Sequence, residues 1–250
     1  MPTRPSSPPA GAETELLGLL AHAELTAFLH TARAADQAPD PAAQVPLGRQ
    51  AVRDFGHHER IAARLEELGQ RPEQAMAPYG QVVRAFHERT QPADWLEGLV
   101  KAYVGDGLAR DFYREVAARL EPAGADLIQE VLADHDDDLL ARTVRQALAE
   151  DPSARGRLAL WARRIVGETL AQAQAVAVER DALALLVLGG AETGSGEAAG
   201  DEDGDGGLAG LGRLVARLTE AHEERMAALG LTGRAASPPA GPTEPDTEEP

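Results

Sequence analysis

Residues 95–120 read WLEGLVKAYVGDGLARDFYREVAARL, and their apolar side chains recur with the period of an α-helix. At about 100° per residue, the aromatic and aliphatic side chains fall within about 60° of one line. These residues are Trp95, Leu99, Ala102, Tyr103, Tyr113, Ala117 and Leu120. Asp106 lies in the middle of the same stripe. A carboxylate among apolar side chains must be paired, protonated or bound to a metal, so this helix predicts a buried polar site.

Two other predicted helices carry acids on their apolar faces. Glu24 shares a face with leucine and phenylalanine side chains in a helix expected over Glu13–Ala35. Asp54 and His57 share a face with aliphatic side chains in a helix expected over Leu47–Leu68. Residues three apart project from one side of a helix, so this carboxylate and this imidazole can bind one metal centre.

The remaining apolar pattern predicts further helices and no strand. A long helix opened by Asp94 runs to Leu120, and others are expected over Ala125–Glu150, Ser153–Leu188 and Leu208–Leu229. The connection Gln70–Pro92, with a short helix near Tyr79–Glu88, is too long for a hairpin turn. In ferritin-like four-helix bundles, one helix hairpin is joined to a second helix hairpin by a long crossover, which is the order predicted here. The sequence therefore predicts an all-α fold of that kind with additional C-terminal helices.

Biased composition sets the expected domain boundaries. Residues 1–12 and 231–250 are rich in proline and polar residues and are expected to be disordered tails. Residues 189–207, GGAETGSGEAAGDEDGDGG, are expected to form a flexible acidic linker inside one helical domain that spans residues 13–230.

Composition also narrows the possible functions. A formal net charge of −17 argues against a generally nucleic-acid-binding surface. The chain has no cysteine, so a metal site would depend on carboxylate and imidazole ligands, which suit iron or manganese. No secretory signal and no apolar run long enough to cross a bilayer is visible. We expect a cytoplasmic protein that is not inserted in a membrane.

Three segments carry a resemblance to a known family. They are residues 94–120, RLALWARRIVGETLAQAQ at 157–174 and LTEAHEERMAALG at 218–230. These segments resemble actinobacterial ferritin-like proteins grouped with the tRNA hydroxylase that acts on 2-methylthio-N6-isopentenyladenosine, and the resemblance extends from Glu13 to Gly230. It implies a ferritin-like fold and, for the hydroxylase itself, oxygen activation at two irons.

The resemblance also implies a set of metal ligands, one group from each helix of the bundle. The candidates are Glu24, Asp54, His57, Asp106, Asp134 and His135. The second helix has Asp-Phe-Gly-His where the family motif has Glu-x-x-His. The fourth helix has ADHDDDLL at 133–140 and no acid-x-x-His. There His135 shares a face with aliphatic side chains, and its acid partner is either Asp134 or Asp138, while Glu168 is a substitute ligand.

Two functions follow from these residues. The first is an oxygen-dependent di-iron hydroxylase or monooxygenase, with iron or manganese as cofactor. It would need an electron-donating reductase and would act on tRNA or a small apolar substrate. The second is a non-catalytic bundle, an interaction or scaffold protein with a degraded metal site, in which Asp106 pairs with Arg110 and His135 faces solvent. The incomplete fourth-helix motif and the acidic charge favour this alternative.

Overall fold

The computed structural model describes residues 11–134, 137–188 and 203–232, and the regular elements in these ranges are all helical. The elements are α1 (Ala12–Asp36), α2 (Pro41–Glu67), α3 (Pro72–Met76), a 3-10 turn (Ala77–Tyr79), α4 (Gly80–Arg89), α5 (Trp95–Lys101), a π-helical turn (Ala102–Asp106), α6 (Gly107–Ala117), α7 (Pro122–Ala133), α8 (Asp137–Glu150), α9 (Ala154–Glu179), α10 (Asp181–Leu188) and α11 (Asp203–Ala228). The all-α fold is as predicted.

The first helix hairpin, α1 with α2, has the most extensive contact between two elements of the described bundle. Helix α2 begins at Pro41, six residues before the predicted start. The carboxylate of Asp40 accepts a hydrogen bond from the Ala43 amide at 2.9 Å, and Pro41 occupies the first helical position, where it has no amide hydrogen to leave unpaired. Pro46, expected in the loop, lies inside the helix.

The second hairpin folds back on itself as α5–α6 against α7–α8. Helix α6 contacts α7 and helix α5 contacts α8, so the returning segment runs antiparallel to the outgoing one. Between the hairpins, α3 and α4 form the crossover, and α4 packs on α9. Helix α11 packs against α6 and α10.

Three predicted long helices are interrupted. The helix expected over Asp94–Leu120 contains the π-helical turn at Ala102–Asp106 and ends at Ala117. The expected fourth helix breaks at Asp134, whose backbone leaves the helical region at φ −93° and ψ 59°. The expected fifth helix breaks at Arg180, at φ −132° and ψ 87°. A continuous helix was therefore the wrong prediction for the expected fourth and fifth helices.

The expected tails and linker fall mainly outside the described residues, which omit 1–10, 189–202 and 233–250. Helix α11 begins at Asp203, five residues before its predicted start, so residues 203–207 belong to this helix and not to the linker. Within the described residues, no helix has both the length and the apolar character needed to span a membrane.

The apolar core has two main parts. One is built from α1, α2, α6, α7 and α10, with fully buried Leu16, Leu20, Ile61 and Ile128. The other is built mainly from α5, α8, α9 and α11, with buried Leu99, Ile165 and Leu229. Burial of a leucine or isoleucine side chain contributes about 1.5–3 kcal/mol to stability. The acids described below are held among these apolar residues.

Candidate metal centre

Three side chains predicted as metal ligands meet between α1 and α2. Glu24, Asp54 and His57 each offer a ligand atom, and these atoms all lie within 4.8 Å of one another. Their exposed fractions are only 5 %, 2 % and 2 %. Helical phase brings them together, because Glu24 faces α2 from the buried side of α1 while Asp54 and His57 are one turn apart on the buried side of α2.

The imidazole of His57 lies between two carboxylates. Its Nδ1 is 3.3 Å from Oε2 of Glu24, and its Nε2 is 3.3 Å from Oδ2 of Asp134. Although burial disfavours the charged ring, the hydrogen bonds and negative charges of Glu24 and Asp134 raise the pKa of His57. Without a metal, a protonated ring that donates from both nitrogens satisfies both acids.

The two acids of the cluster are unusually basic for carboxyl groups. Burial raises the pKa of Glu24 and that of Asp54, and nearby hydrogen bonds and the positive charge of Arg110 only partly oppose this effect. The side-chain amide of Gln50 donates a hydrogen bond to Oδ1 of Asp54 at 2.7 Å. A positively charged ion bound between these acids would relieve the cost of burying their charge.

Asp106 lies beside the cluster without belonging to the group within 4.8 Å. It closes the π-helical turn and faces the interior cavity shared by Glu24 and Asp54. Burial raises its pKa to about 7, the charges of Asp54 and Glu24 act in the same direction, and those of Arg110 and Lys101 oppose it. A single π-helical turn changes the register of the helix, and such turns are frequent at functional sites.

The cavity beside the acids has a volume of about 600 Å³, within the range of small-molecule sites. Most of its wall is apolar and comes from α1, α4, α5, α6, α9, α10 and α11; examples are Val82, Phe86, Leu99, Leu183 and Leu214. The wall also includes the acids Glu24, Asp54 and Asp106 and the chain's only lysine, Lys101. The acids Glu24, Asp54 and Asp106 of this region therefore border a mainly apolar cavity.

The remaining candidates fall in different places. Asp134 contacts His57, but its side chain is 62 % exposed at the end of α7. His135 lies outside the described residues. Asp138 forms an ion pair with Arg142 on the exposed side of α8, and the carboxylate of Glu168 lies 3.7 Å from Arg89. Asp138 and Glu168 therefore each interact with an arginine side chain in this structure.

Two polar residues of the site were missed from the sequence. Gln50 lies four residues before Asp54, so its place on the same helical face could have been read from the spacing. The burial of Lys101 was not predicted from the sequence. Its burial depends on His87 and Thr90 of the crossover, and no spacing within its own helix indicates these contacts.

These helices and their buried acids define a ferritin-like fold, and a comparison with family models agrees with this assignment. The model described as a ferritin-like domain of actinomycetes matches residues 11–190. The chain belongs to this family. Comparison with curated proteins found no match.

Proposed function

We propose that the cluster binds iron and that the protein is an oxygen-dependent hydroxylase of the ferritin-like class. The observation that carries this proposal is the meeting of Glu24, Asp54 and His57 in a buried site that opens onto an apolar cavity. Two carboxylates and an imidazole are ligands suited to iron or manganese. Scattered surface acids would lack this mutual approach, this burial and this shared cavity.

The donor set fits such a metal. Glu24, Asp54 and His57 would hold the first ion. Asp106, at the end of the π-helical turn, and Asp134, at the end of α7, would complete the set with His135. Bound iron would supply oxygen activation for the attack on an unactivated C–H bond. Metal binding would require His57 to lose its proton and its present hydrogen bonds to acids, so affinity should increase with pH.

The residues around the cluster have separate roles in this proposal. The apolar wall, including Leu99 and Val82, would exclude water from the reacting centre. Gln50 would orient Asp54 through its 2.7 Å hydrogen bond, as residues that bond to metal ligands commonly do. We further propose that electrons come from a separate reductase and that the protein acts in the cytoplasm.

A tRNA substrate would follow from the resemblance to tRNA hydroxylase, and a small apolar substrate from the character of the cavity. The cavity favours the small substrate, because its wall is mainly apolar and the chain carries a net charge of −17. Either substrate would undergo the same proposed hydroxylation.

Iron content tests the proposal. The full chain would be expressed with added iron, purified and assayed for metal per chain. We expect at least one iron per chain, and a loss of most of it in Glu24→Gln and Asp54→Asn. Glu115→Gln is the matched control, because Glu115 pairs with Arg217 outside the cluster. Less than about half an iron per chain, or equal loss in the control, would refute the iron site.

A non-catalytic bundle is the second candidate, and one observation favours it. Arg110, only 8 % exposed, places a positive charge near Glu24, Asp54 and Asp106. Together with the Gln50 and His57 hydrogen bonds, this charge partly neutralises the acids without a metal. A protein that stays iron-free and gains no thermal stability from added Fe(II) or Mn(II) would support this function instead.

A further inference from the structure

Lys101 presents a buried cation to the cavity. The side chain lies at the end of α5, lines the cavity, and belongs to a residue that is only 7 % exposed. Among the described residues, no carboxylate lies within ion-pair distance of its Nζ. Buried ammonium groups are ordinarily paired with an acid, because removal of their charge from water is costly.

Two hydrogen-bond contacts position the ammonium group of Lys101, and among the described residues its third N–H has no hydrogen-bond acceptor. Nζ donates to the carbonyl oxygen of Thr90 at 2.8 Å and lies 2.9 Å from Nδ1 of His87. His87 stacks on His30, with ring centroids 4.1 Å apart. Burial, followed by the charge of Lys101, lowers the pKa of His87 to about 2, so its Nδ1 is a neutral acceptor. An ammonium group has three donors, and two are accounted for here.

The surroundings of Lys101 combine an aromatic ring, apolar side chains and the charge of Asp106, which lies beyond ion-pair distance. The Phe86 ring centroid lies 5.2 Å from Nζ, a cation–π contact that holds the ammonium against the wall. Leu99, Val82 and Leu214 line other parts of the same cavity. A ligand that suits this space has one negative group for Lys101 and an apolar body for the remaining volume.

We propose that the cavity binds an apolar molecule with a single carboxylate, such as a medium-chain fatty acid, and that the carboxylate pairs with Nζ of Lys101. One buried ammonium matches one negative charge, whereas a polyanion such as RNA would need several cations. If the protein is a hydroxylase as proposed above, this molecule is its substrate class, because the cavity that holds it is also lined by the candidate metal ligands Glu24, Asp54 and Asp106. That last step rests on the proposed function, whereas the binding step does not.

The binding step is tested by titration calorimetry on the chelator-treated full chain at pH 7, with decanoate, decan-1-ol and decylamine as probes. The three probes share one apolar chain and differ in charge. We expect decanoate to bind about tenfold or more tightly than decan-1-ol, as a charge-assisted hydrogen bond provides, and decylamine to bind most weakly. Equal affinities for the three probes would overturn the proposal.

Two variants locate the charge that matters. Lys101→Met keeps an unbranched side chain without the cation, and it should reduce the preference for decanoate to within about twofold. Arg33→Met is the matched control, since Arg33 also lines the cavity but is exposed; it should keep the tenfold preference. Loss of the preference in Arg33→Met alone would overturn the assignment to Lys101. If Lys101→Met does not fold, the wild-type series still decides.

Failure here and failure of the proposed function are distinguishable. Iron content is measured separately, on the same preparation before chelation. Selective decanoate binding by a chain that never binds iron would support the carboxylate site and refute the hydroxylase. Iron binding without any preference for decanoate would refute the carboxylate site and support the iron site.

Discussion

Replacing Lys101 with methionine should change how the stability of the protein depends on pH. Burial lowers the pKa of this lysine from 10.5 to about 8, although the charge of Asp106 acts in the opposite direction. Between pH 8 and 10.5 the unfolded chain therefore binds one proton more than the folded chain. The contribution of Lys101 to the free energy of unfolding of the wild type therefore increases with pH across this window.

The size of this effect comes from the shift itself. Each pH unit is worth about 1.4 kcal/mol for one proton, so a window of about 2.5 units gives about 3 kcal/mol. Below pH 8 the lysine is charged in both states and its burial cost is fully present. The methionine variant lacks this titration. Its stability relative to wild type should therefore fall by about 3 kcal/mol as pH rises from 8 to 10.5.

Urea unfolding of both proteins at half-unit pH intervals, followed by circular dichroism, measures this difference. No other lysine is present in the chain, and tyrosine titration is common to both proteins and cancels. Arg60→Met, which removes a surface cation paired with Glu130, should follow the wild-type curve. If the wild type and Lys101→Met differ by a constant amount across the window, within about 0.5 kcal/mol, the burial assigned to this ammonium is refuted.

The other predictions concern packing, capping and a buried acid. Gly18→Ala should destabilise the protein by about 1–3 kcal/mol, because the added Cβ would overlap the carbonyl oxygen of Ala75. Gly167→Ala should stabilise it by about 0.5–1 kcal/mol, because a Cβ at this helical position meets open space. Thermal melts of the two variants and the wild type measure both effects. Asp40→Ala should cost about 1 kcal/mol through loss of the α2 cap, and an unchanged urea midpoint would contradict this. In metal-free protein, the raised pKa of Asp106, about 7 against 3.8, should make stability fall by up to about 4 kcal/mol as pH rises from 4 to 7, and Asp106→Asn should lack this dependence in matched urea titrations.

Helical phase was enough to predict that three polar side chains of the candidate site are buried. Glu24, Asp54 and His57 lie where the apolar stripes of their helices place them, because burial follows the 3.6-residue period in uninterrupted helices. The expectation that these acids would approach one another came from the order of hairpins and crossover. The all-α prediction followed from the same pattern and is confirmed by the family match.

A uniform rotation of 100° per residue could not predict where the helices break. The π-helical turn at Ala102–Asp106 has no proline or capping signal in its sequence, and the break at Asp134 lies inside a run of acids that the pattern treated as one helix. At Asp134 the break accompanies a contact between elements. Asp134 reaches His57 across the bundle, a contact between residues 77 positions apart.

The burial of Lys101 could not be predicted from the sequence either. A single lysine in a helix is ordinarily interpreted as a solvated side chain. Its burial depends on α4, which supplies the acceptor nitrogen of His87 and the ring of Phe86, and on the carbonyl oxygen of Thr90 at the end of that helix. These are contacts across the crossover, and no period within α5 contains them.

Crystals of the full chain grown with Fe(II) under anaerobic conditions would test the central claim most directly, through anomalous diffraction at the iron edge. We expect a peak between α1 and α2, within bonding distance of carboxylate oxygens of Glu24 and Asp54 and of an imidazole nitrogen of His57. Crystals of Glu24→Gln should show a weaker peak or none. No anomalous peak at this cluster in the wild type, with the hydrogen bonds of His57 to Glu24 and Asp134 intact, would contradict the metal centre.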